Sequence, residues 1–401
     1  MDPKKKYHLF KTNKNFCVVP WTNFEIYTNG DVKTCSMGDE NLGNVNEENL
    51  DDILRKSKVL HRMKKNMLAD KSDSNCIRCH HRTISEANFN YLRDHYNARL
   101  IKENVDYENI ENFDLRFVDL HWSNICNLRC VMCHPGQSSL IAKDQKVFVT
   151  PVNARSIKKI ISMIKEHQDK IKEIYMSGGE PFYIPYNVKL LQELTNKDIP
   201  IRINTNMTWK TNNKFFKLLK NFNNVQLTMS ADALGKKFNY IRNGADWEIF
   251  EYNLDYIKNE TNFDIRINLI FSIINANSIC DTIDYFYNKK KINDITINLL
   301  YNPESLDARN YPKNKKEYIV NAIERLILTI SSKDVNLINN LKNCLMQIQL
   351  PNQRDYKESL DKLTMSSPWR NRWLHTKEIE SLDKLTEKNM LPWQEVFKDL
   401  V

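Results

Sequence analysis

Three cysteines within eight residues constrain this chain more than any other feature: Cys126-Asn-Leu-Arg-Cys130-Val-Met-Cys133. Thiolates at spacings of three and two can all turn inward on one compact inorganic centre. They are one short of the four that an ordinary iron–sulfur cubane takes from protein, and one short of a closed tetrahedral zinc site. A centre with a missing protein ligand keeps a metal position open for chemistry. A strand-like run, Leu115 to Trp122, leads into the triplet. A loop, His134-Pro-Gly-Gln-Ser-Ser139, follows it.

A second set of cysteines lies nearer the N-terminus. Cys17 precedes Pro20-Trp21, and Cys35 ends Gly30-Asp-Val-Lys-Thr-Cys35. The Thr28-Asn-Gly-Asp31 turn between apolar-alternating runs is a hairpin signal, which brings Cys17 and Cys35 into one neighbourhood. A helical stretch over 49–67 follows, with Leu50, Ile53, Leu54 and Leu60 at helical spacing. Cys76-Ile-Arg-Cys79 completes a set of four thiols. Such a set closes a site and suits either a [4Fe–4S] cluster or structural zinc. His80 and His81 read as flanking exposed histidines. Residues 85–112 read as a polar, partly helical connector.

From about Asp114 the pattern becomes alternation. Apolar runs at 115–121, 173–176, 199–204, 225–230, 265–270 and 295–299 are separated by amphipathic segments at 154–167, 187–194, 211–219, 247–258 and 279–287. Strands separated by helices predict a parallel sheet of βαβ units, whose functional loops lie at the C-terminal strand ends. The cysteine triplet, Ser177-Gly-Gly-Glu-Pro181, Asn204-Thr-Asn206 and Ser230-Ala-Asp232 all fall at such ends. Beyond residue 300 the alternation stops. Helices are predicted over 318–330 and 335–348. Aromatics at Ser366–Trp373 and Pro392–Phe397 suit a helical cap on the sheet or a substrate-binding tail.

The seven clustered cysteines read as ligands rather than disulfides if the protein is cytoplasmic, as the absence of an apolar stretch after Met1-Asp-Pro-Lys-Lys-Lys6 leads us to expect. No run approaches 18 apolar residues, so no membrane span is expected. The net charge of +9 is dispersed over Lys–Asn-rich segments, so nucleic acid is not the favoured partner. Cys280 and Cys344 lie far from both groups and read as core or surface thiols.

With both motifs in order on β/α elements, the chain resembles the radical S-adenosylmethionine (SAM) superfamily. Cys126-x3-Cys130-x2-Cys133 is similar to its cluster motif, and Ser177-Gly-Gly-Glu-Pro181 to its SAM-binding motif. Met132 stands where an aromatic residue is common. The resemblance implies a partial (β/α)6 TIM-like barrel over 114–300. It implies a [4Fe–4S] cluster on Cys126, Cys130 and Cys133, with SAM chelating the fourth iron. Gly178 and Gly179 would let the backbone approach the ligand, Glu180 would stand near the SAM ammonium group, and Pro181 would fix the turn. Ser230, Asp232 and Asn206 would reach the ribose, or would cap loops. Arg242 would bind a carboxylate or form a structural ion pair. Reductive cleavage of SAM would yield a 5′-deoxyadenosyl radical.

The N-terminal unit, residues 1–95, resembles the SPASM/twitch auxiliary module, here placed ahead of the barrel. Its implied ligands are Cys17, Cys35, Cys76 and Cys79, holding a second [4Fe–4S] cluster. Residues 96–113 would be a connector and 301–401 a helical extension. The implied partners are a peptide or protein substrate, or else a small molecule or RNA, and an electron donor such as flavodoxin or ferredoxin. A non-catalytic iron–sulfur redox protein is the reading from a different class.

Overall fold

The computed structural model describes residues 3–77, 79 and 92–352. His80, His81 and the aromatic segments at 366–373 and 392–397 lie outside the described residues. The nine strands of the described residues form one mixed sheet, in the order β3-β2-β1-β4-β5-β6-β7-β8-β9. The strands are β1 (Asn23–Ile26), β2 (Asp31–Lys33), β3 (Gly43–Asn44), β4 (Phe117–Leu120), β5 (Glu173–Met176), β6 (Ile201–Thr205), β7 (Val225–Ser230), β8 (Asp264–Phe271) and β9 (Ile295–Leu299). The last six are parallel neighbours in sequence order, as the alternation predicts.

One pairing was not predicted. The cysteine-rich unit is not a separate sheet: its β1 runs parallel to β4, with Glu25 opposite Asp119 and Ile26 opposite Leu120. Strands β2 and β3 add on antiparallel beyond it. The free edge of β4, which would otherwise present unpaired backbone groups, is thereby covered.

Helices follow the strands. They are α1 (Leu50–Lys56), α2 (Lys58–Leu68), α3 (Leu92–Leu100), α4 (Ser139–Asp144), α5 (Ala154–His167), α6 (Pro185–Glu193), α7 (Lys214–Leu219), α8 (Gly235–Ile241), α9 (Trp247–Glu260), α10 (Ile279–Asp284), α11 (Lys313–Thr329) and α12 (Val335–Gln349). The single helix expected over 49–67 is two, because Ser57 takes an extended backbone between α1 and α2. Helix α5 begins at a side-chain cap, Asn153 accepting from the Ser156 N–H at 2.9 Å, and buries Ile157, Ile160, Ile161 and Ile164.

The two faces of the parallel strands differ. Val118, Leu120, Ile174, Met176, Ile201, Ile203, Leu227, Met229, Ile267 and Leu269 are buried in the main core. Alternate positions are polar: Glu25, Asp119, Tyr175, Arg202 and Gln226 form one row across the register, and Asn204, Thr228 and Arg266 another. A parallel sheet covered by helices on both faces is apolar on both. The second face of this sheet is polar instead. A smaller core beneath the N-terminal unit gathers Phe16, Trp21, Met63, Tyr107 and Phe117, with Cys17, Cys35 and Cys76 packed against it.

Candidate functional site

The cysteine triplet occupies the loop between β4 and α4, and that loop is pinned from several sides. Leu128 is buried. The Arg129 and Val131 N–H groups donate to the Asn243 and Ile241 carbonyls, each at 2.8 Å, and the Cys133 N–H closes a turn onto the Cys130 carbonyl at 2.9 Å. Ser138 caps α4 and also donates its hydroxyl to the Leu128 carbonyl at 2.7 Å. The Leu128 N–H points at Cys126 Sγ, 3.4 Å away. A short stretch with little regular structure is thus held by the ends of other elements, which a multi-thiolate site requires.

The Ser177–Pro181 loop, after β5, lies against this same segment. The Gly179 N–H donates to the Ser123 carbonyl at 2.9 Å, and the Glu180 N–H to the Ile125 carbonyl at 2.7 Å. A Cβ on Gly179 would sit 2.1 Å from the Ile125 carbonyl oxygen, and one on Gly178 would sit 2.7 Å from the Ser123 oxygen; Gly178 also has φ +98°. The glycines were expected to allow close approach to a ligand. The approach the structure shows is to the backbone leading into Cys126, so the two motifs interlock directly.

Glu180 turns inward. Its carboxylate accepts from Thr205 Oγ1 at 2.8 Å, the Asn206 N–H at 2.7 Å and the Phe182 N–H at 3.3 Å. Burial pushes its carboxyl up to about 7, against the pull of those three donors. Pro181 is buried and opens a short 3-10 turn. Asn206 is similarly occupied: its amide donates to Asn127 at 2.9 Å and its oxygen accepts from Thr208. Asp232 pairs with Arg242 at 2.8 Å and accepts the Ile270 N–H at the same distance. Both side chains are nearly fully buried. Burial raises the Asp232 carboxyl, and Arg242 offsets part of that rise. The guanidinium also reaches within 4.0 Å of Cys130 Sγ. Ser230 ends β7 on the polar face, opposite Asn268.

The donor set fits an iron–sulfur centre. Burial raises all three thiols of the triplet, Cys133 to about 12, and each is raised further by neighbouring negative charge: Cys126 by Cys130 and Cys133, Cys133 by Cys130, and Cys130 by Asp232. Crowded, desolvated thiols ionise together only against a compensating cationic centre. The N-terminal four behave alike. Burial raises Cys17, and charge on Cys76, Cys35 and Cys79 adds to it. Burial also lifts Cys35 to about 11 and Cys76 to about 12. The structure therefore brings Cys17, Cys35, Cys76 and Cys79 within electrostatic reach of one another. Cys280 and Cys344 lie elsewhere, against the main core.

Residues absent from the sequence reading also belong here. His121 Nδ1 lies 2.6 Å from Ser177 Oγ, and its Nε2 lies against Asp119 and Glu25. Alternating Asp119 and His121 in a strand otherwise apolar was the available signal.

The geometry defines a class: an α/β protein whose loop after β4 carries three closely spaced cysteines, with a glycine-rich loop after β5 packed against it. Residues 120–286 match the family model of the radical SAM superfamily, and residues 17–80 match that of an iron–sulfur cluster-binding domain, SPASM. The chain thus carries a radical SAM domain over its parallel strands, with a SPASM domain ahead of it. A radical SAM domain uses a [4Fe–4S] cluster and SAM, and a SPASM domain binds further iron–sulfur clusters.

No curated protein matches the chain. Among solved structures, native anSMEcpe with bound AdoMet is similar at 16% identity and TM-score 0.40, over 53% of this chain and 60% of that one. Streptococcus suis SuiB bound to S-adenosylmethionine is similar at 18% identity and TM-score 0.39, over 67% and 62%. The same protein bound to precursor peptide SuiA is similar at 14% identity and TM-score 0.40, over 79% and 83%. The chain thus spans about three fifths of the length of the first of these relatives. At such values nothing about this chain's substrate follows from theirs. Among the described residues, no helix is long and apolar enough to cross a membrane.

Proposed function

We propose that this enzyme binds a [4Fe–4S] cluster on Cys126, Cys130 and Cys133, cleaves SAM reductively there, and modifies a peptide or protein side chain. The observation that carries the reading is the interlock of the two motif loops. Backbone hydrogen bonds from Gly179 and Glu180 to residues 123 and 125 fix the Ser177–Pro181 loop beside the triplet. When bound, the reduced cluster and SAM supply a carbon radical able to take a hydrogen atom from substrate. The chain's own work is to bind, orient and exclude water. Ser177 to Pro181 line the approach to the open metal position, and Ser230 stands at the strand end where a ribose would lie. Arg242 keeps a positive charge beside Cys130 and pairs with Asp232, while Glu180 and Asn206 tie strand ends together. These contacts favour positioning over direct ligand contact for Asp232, Asn206 and Arg242.

The six parallel strands are read as a partial (β/α)6 barrel over residues 114–300, with the polar face as its interior. Residues 1–95 are the auxiliary module, 96–113 a connector and 301–401 an extension whose described part, to residue 352, is mainly helical. Helix α12 of that extension packs against β9, and α11 packs against α12. Cys17, Cys35, Cys76 and Cys79 close a second [4Fe–4S] site, suited to electron relay or substrate positioning. A cytoplasmic flavodoxin or ferredoxin would deliver the electron.

Anaerobic reconstitution followed by reduction with SAM tests the reading. Release of 5′-deoxyadenosine is expected, and Cys130→Ala abolishes it. Continued cleavage in that variant, or none in fully loaded parent protein, overturns the assignment. A panel of peptides, nucleotides, sugars and RNA then separates the substrate classes by hydrogen transfer into 5′-deoxyadenosine.

A further inference from the structure

The polar face carries a cluster that neither cysteine motif explains. Glu25 of β1 and Asp119 of β4 stand opposite each other in register, and His121 follows two residues after Asp119. One ligand atom from each lies within 4.8 Å of the other two. His121 Nε2 is 2.7 Å from Asp119 Oδ1 and 3.1 Å from Glu25 Oε1. Glu25 is 1% exposed, yet its second oxygen, Oε2, has no hydrogen-bond partner. Asp119 Oδ1 likewise meets no donor in hydrogen-bond geometry.

A ring nitrogen offers either one lone pair or one N–H. As a lone pair, Nε2 would face two electron-rich oxygens with nothing between them. As an N–H it serves one oxygen well and leaves buried carboxylate charge around it. The neighbouring cations have other partners. Lys33 Nζ lies 5.0 Å over the Tyr27 ring, and Arg202 lies over Tyr175 and pairs with Glu173. Tyr27 stacks on the His121 ring and Tyr175 meets its edge. Three ligand atoms thus converge on a small volume in which the His121 ring, drawn toward its protonated form by the two acids, and Arg202 at longer range are the positive charges that act on Asp119.

We propose that Glu25, Asp119 and His121 form a mononuclear site for a divalent transition-metal ion, on the sheet's polar face beside the Ser177 loop. Two carboxylates and an imidazole suit Mn²⁺, Fe²⁺ or Zn²⁺. Donors at roughly 2.0–2.2 Å from an ion stand about 3 Å apart when adjacent in an octahedron. The Glu25 contact already has that spacing, and the Asp119 contact needs to widen by a few tenths of an ångström. Ser177 supplies the second element of such a site. Metal-bound imidazoles donate their other N–H to a fixed acceptor, which aims the coordinating nitrogen at the metal. Ser177 Oγ, 2.6 Å from Nδ1, is placed to accept it. Three protein ligands leave positions for water or a substrate oxygen. Because Glu25 comes from β1 and the other two from the β4 segment, the ion would also clamp the cysteine-rich unit to the parallel strands. The inference stands independently of what the cysteine triplet holds.

Mn²⁺ titration of the anaerobically reconstituted holoenzyme tests it, followed by loss of the free-ion EPR signal. Mn²⁺ is chosen because it favours oxygen and nitrogen donors over thiolates. Depletion by about one ion per chain is expected, weakened at least about 10-fold in Glu25→Gln and in Asp119→Asn, with iron content unchanged. No depletion by the parent protein overturns the proposal. So does equal depletion in the parent and both variants, which would mean an imidazolium held between two acids and adventitious surface binding of Mn²⁺. Thermal melts identify a variant that does not fold, and the other variant then decides.

Discussion

Replacing Gly179 by alanine tests the interlock of the two motif loops most directly. The added Cβ would sit 2.1 Å from the Ile125 carbonyl oxygen, 2.6 Å from its carbon and 2.7 Å from the Asn124 carbonyl carbon, all backbone atoms. Restoring ordinary contact of about 3.4 Å means parting the two segments by about 1.3 Å. That movement breaks the Gly179–Ser123 and Glu180–Ile125 hydrogen bonds, now 2.9 and 2.7 Å. Two buried hydrogen bonds at about 1–3 kcal/mol each, plus overpacking of about 1–3 kcal/mol, give a penalty of order 5 kcal/mol. A penalty of that size rivals the stability of a whole domain, so the cheaper response is local release of the loop carrying Cys126. Gly179→Ala should therefore lose about four irons per chain on reconstitution, those of the triplet, while the N-terminal site keeps its own. Gly136→Ala is the matched control in the same loop, since its Cβ would meet only the movable His134 ring at 3.0 Å. Iron and acid-labile sulfide assays with visible circular dichroism read the outcome. Full iron loading and an unchanged melt in Gly179→Ala would refute the interlock.

Three further outcomes follow from the site. Arg242→Met leaves Asp232 buried and unpaired, at a cost of about 3–5 kcal/mol, and the double variant with Asp232→Asn should recover much of it; additive losses in a thermal-melt cycle would mean the pair is not coupled. Burial raises the Glu180 carboxyl from an unfolded value near 4.5 to about 7, so the folded chain binds this proton more tightly; its stabilising contribution, about 3 kcal/mol, is complete below pH 4.5 and lost as pH rises through 7. In cluster-free protein Glu180→Gln should flatten that decline, and an unaltered pH profile counts against it. Cys76→Ser should remove about four irons and leave 5′-deoxyadenosine formation measurable, whereas bound zinc at that site would contradict an iron–sulfur centre.

The six parallel strands and most of their helices were legible because each is signalled locally, by a short apolar run or a helical stripe. The cysteine triplet and the Gly-Gly-Glu loop were legible for the same reason, being contiguous in the chain. What could not be read depends on pairing between distant segments. Nothing in Asn23–Ile26 says that its neighbour is Phe117–Leu120, since both runs are short and would suit an edge or a centre. Without that pairing Glu25 is one surface acid among many, and Asp119 and His121 are polar residues in a strand. With it, an acid from the cysteine-rich unit is buried against a histidine that touches Ser177. The fates of Asp232 and Arg242 were open for a related reason. Sequence places both after β7 but cannot show that each meets the other before either meets a ligand. The same fact explains why this loop carries an ion pair at all: Arg242, held by Asp232, stands beside Cys130 with its charge oriented, so the cysteine loop gains a fixed cation without an exposed side chain to immobilise.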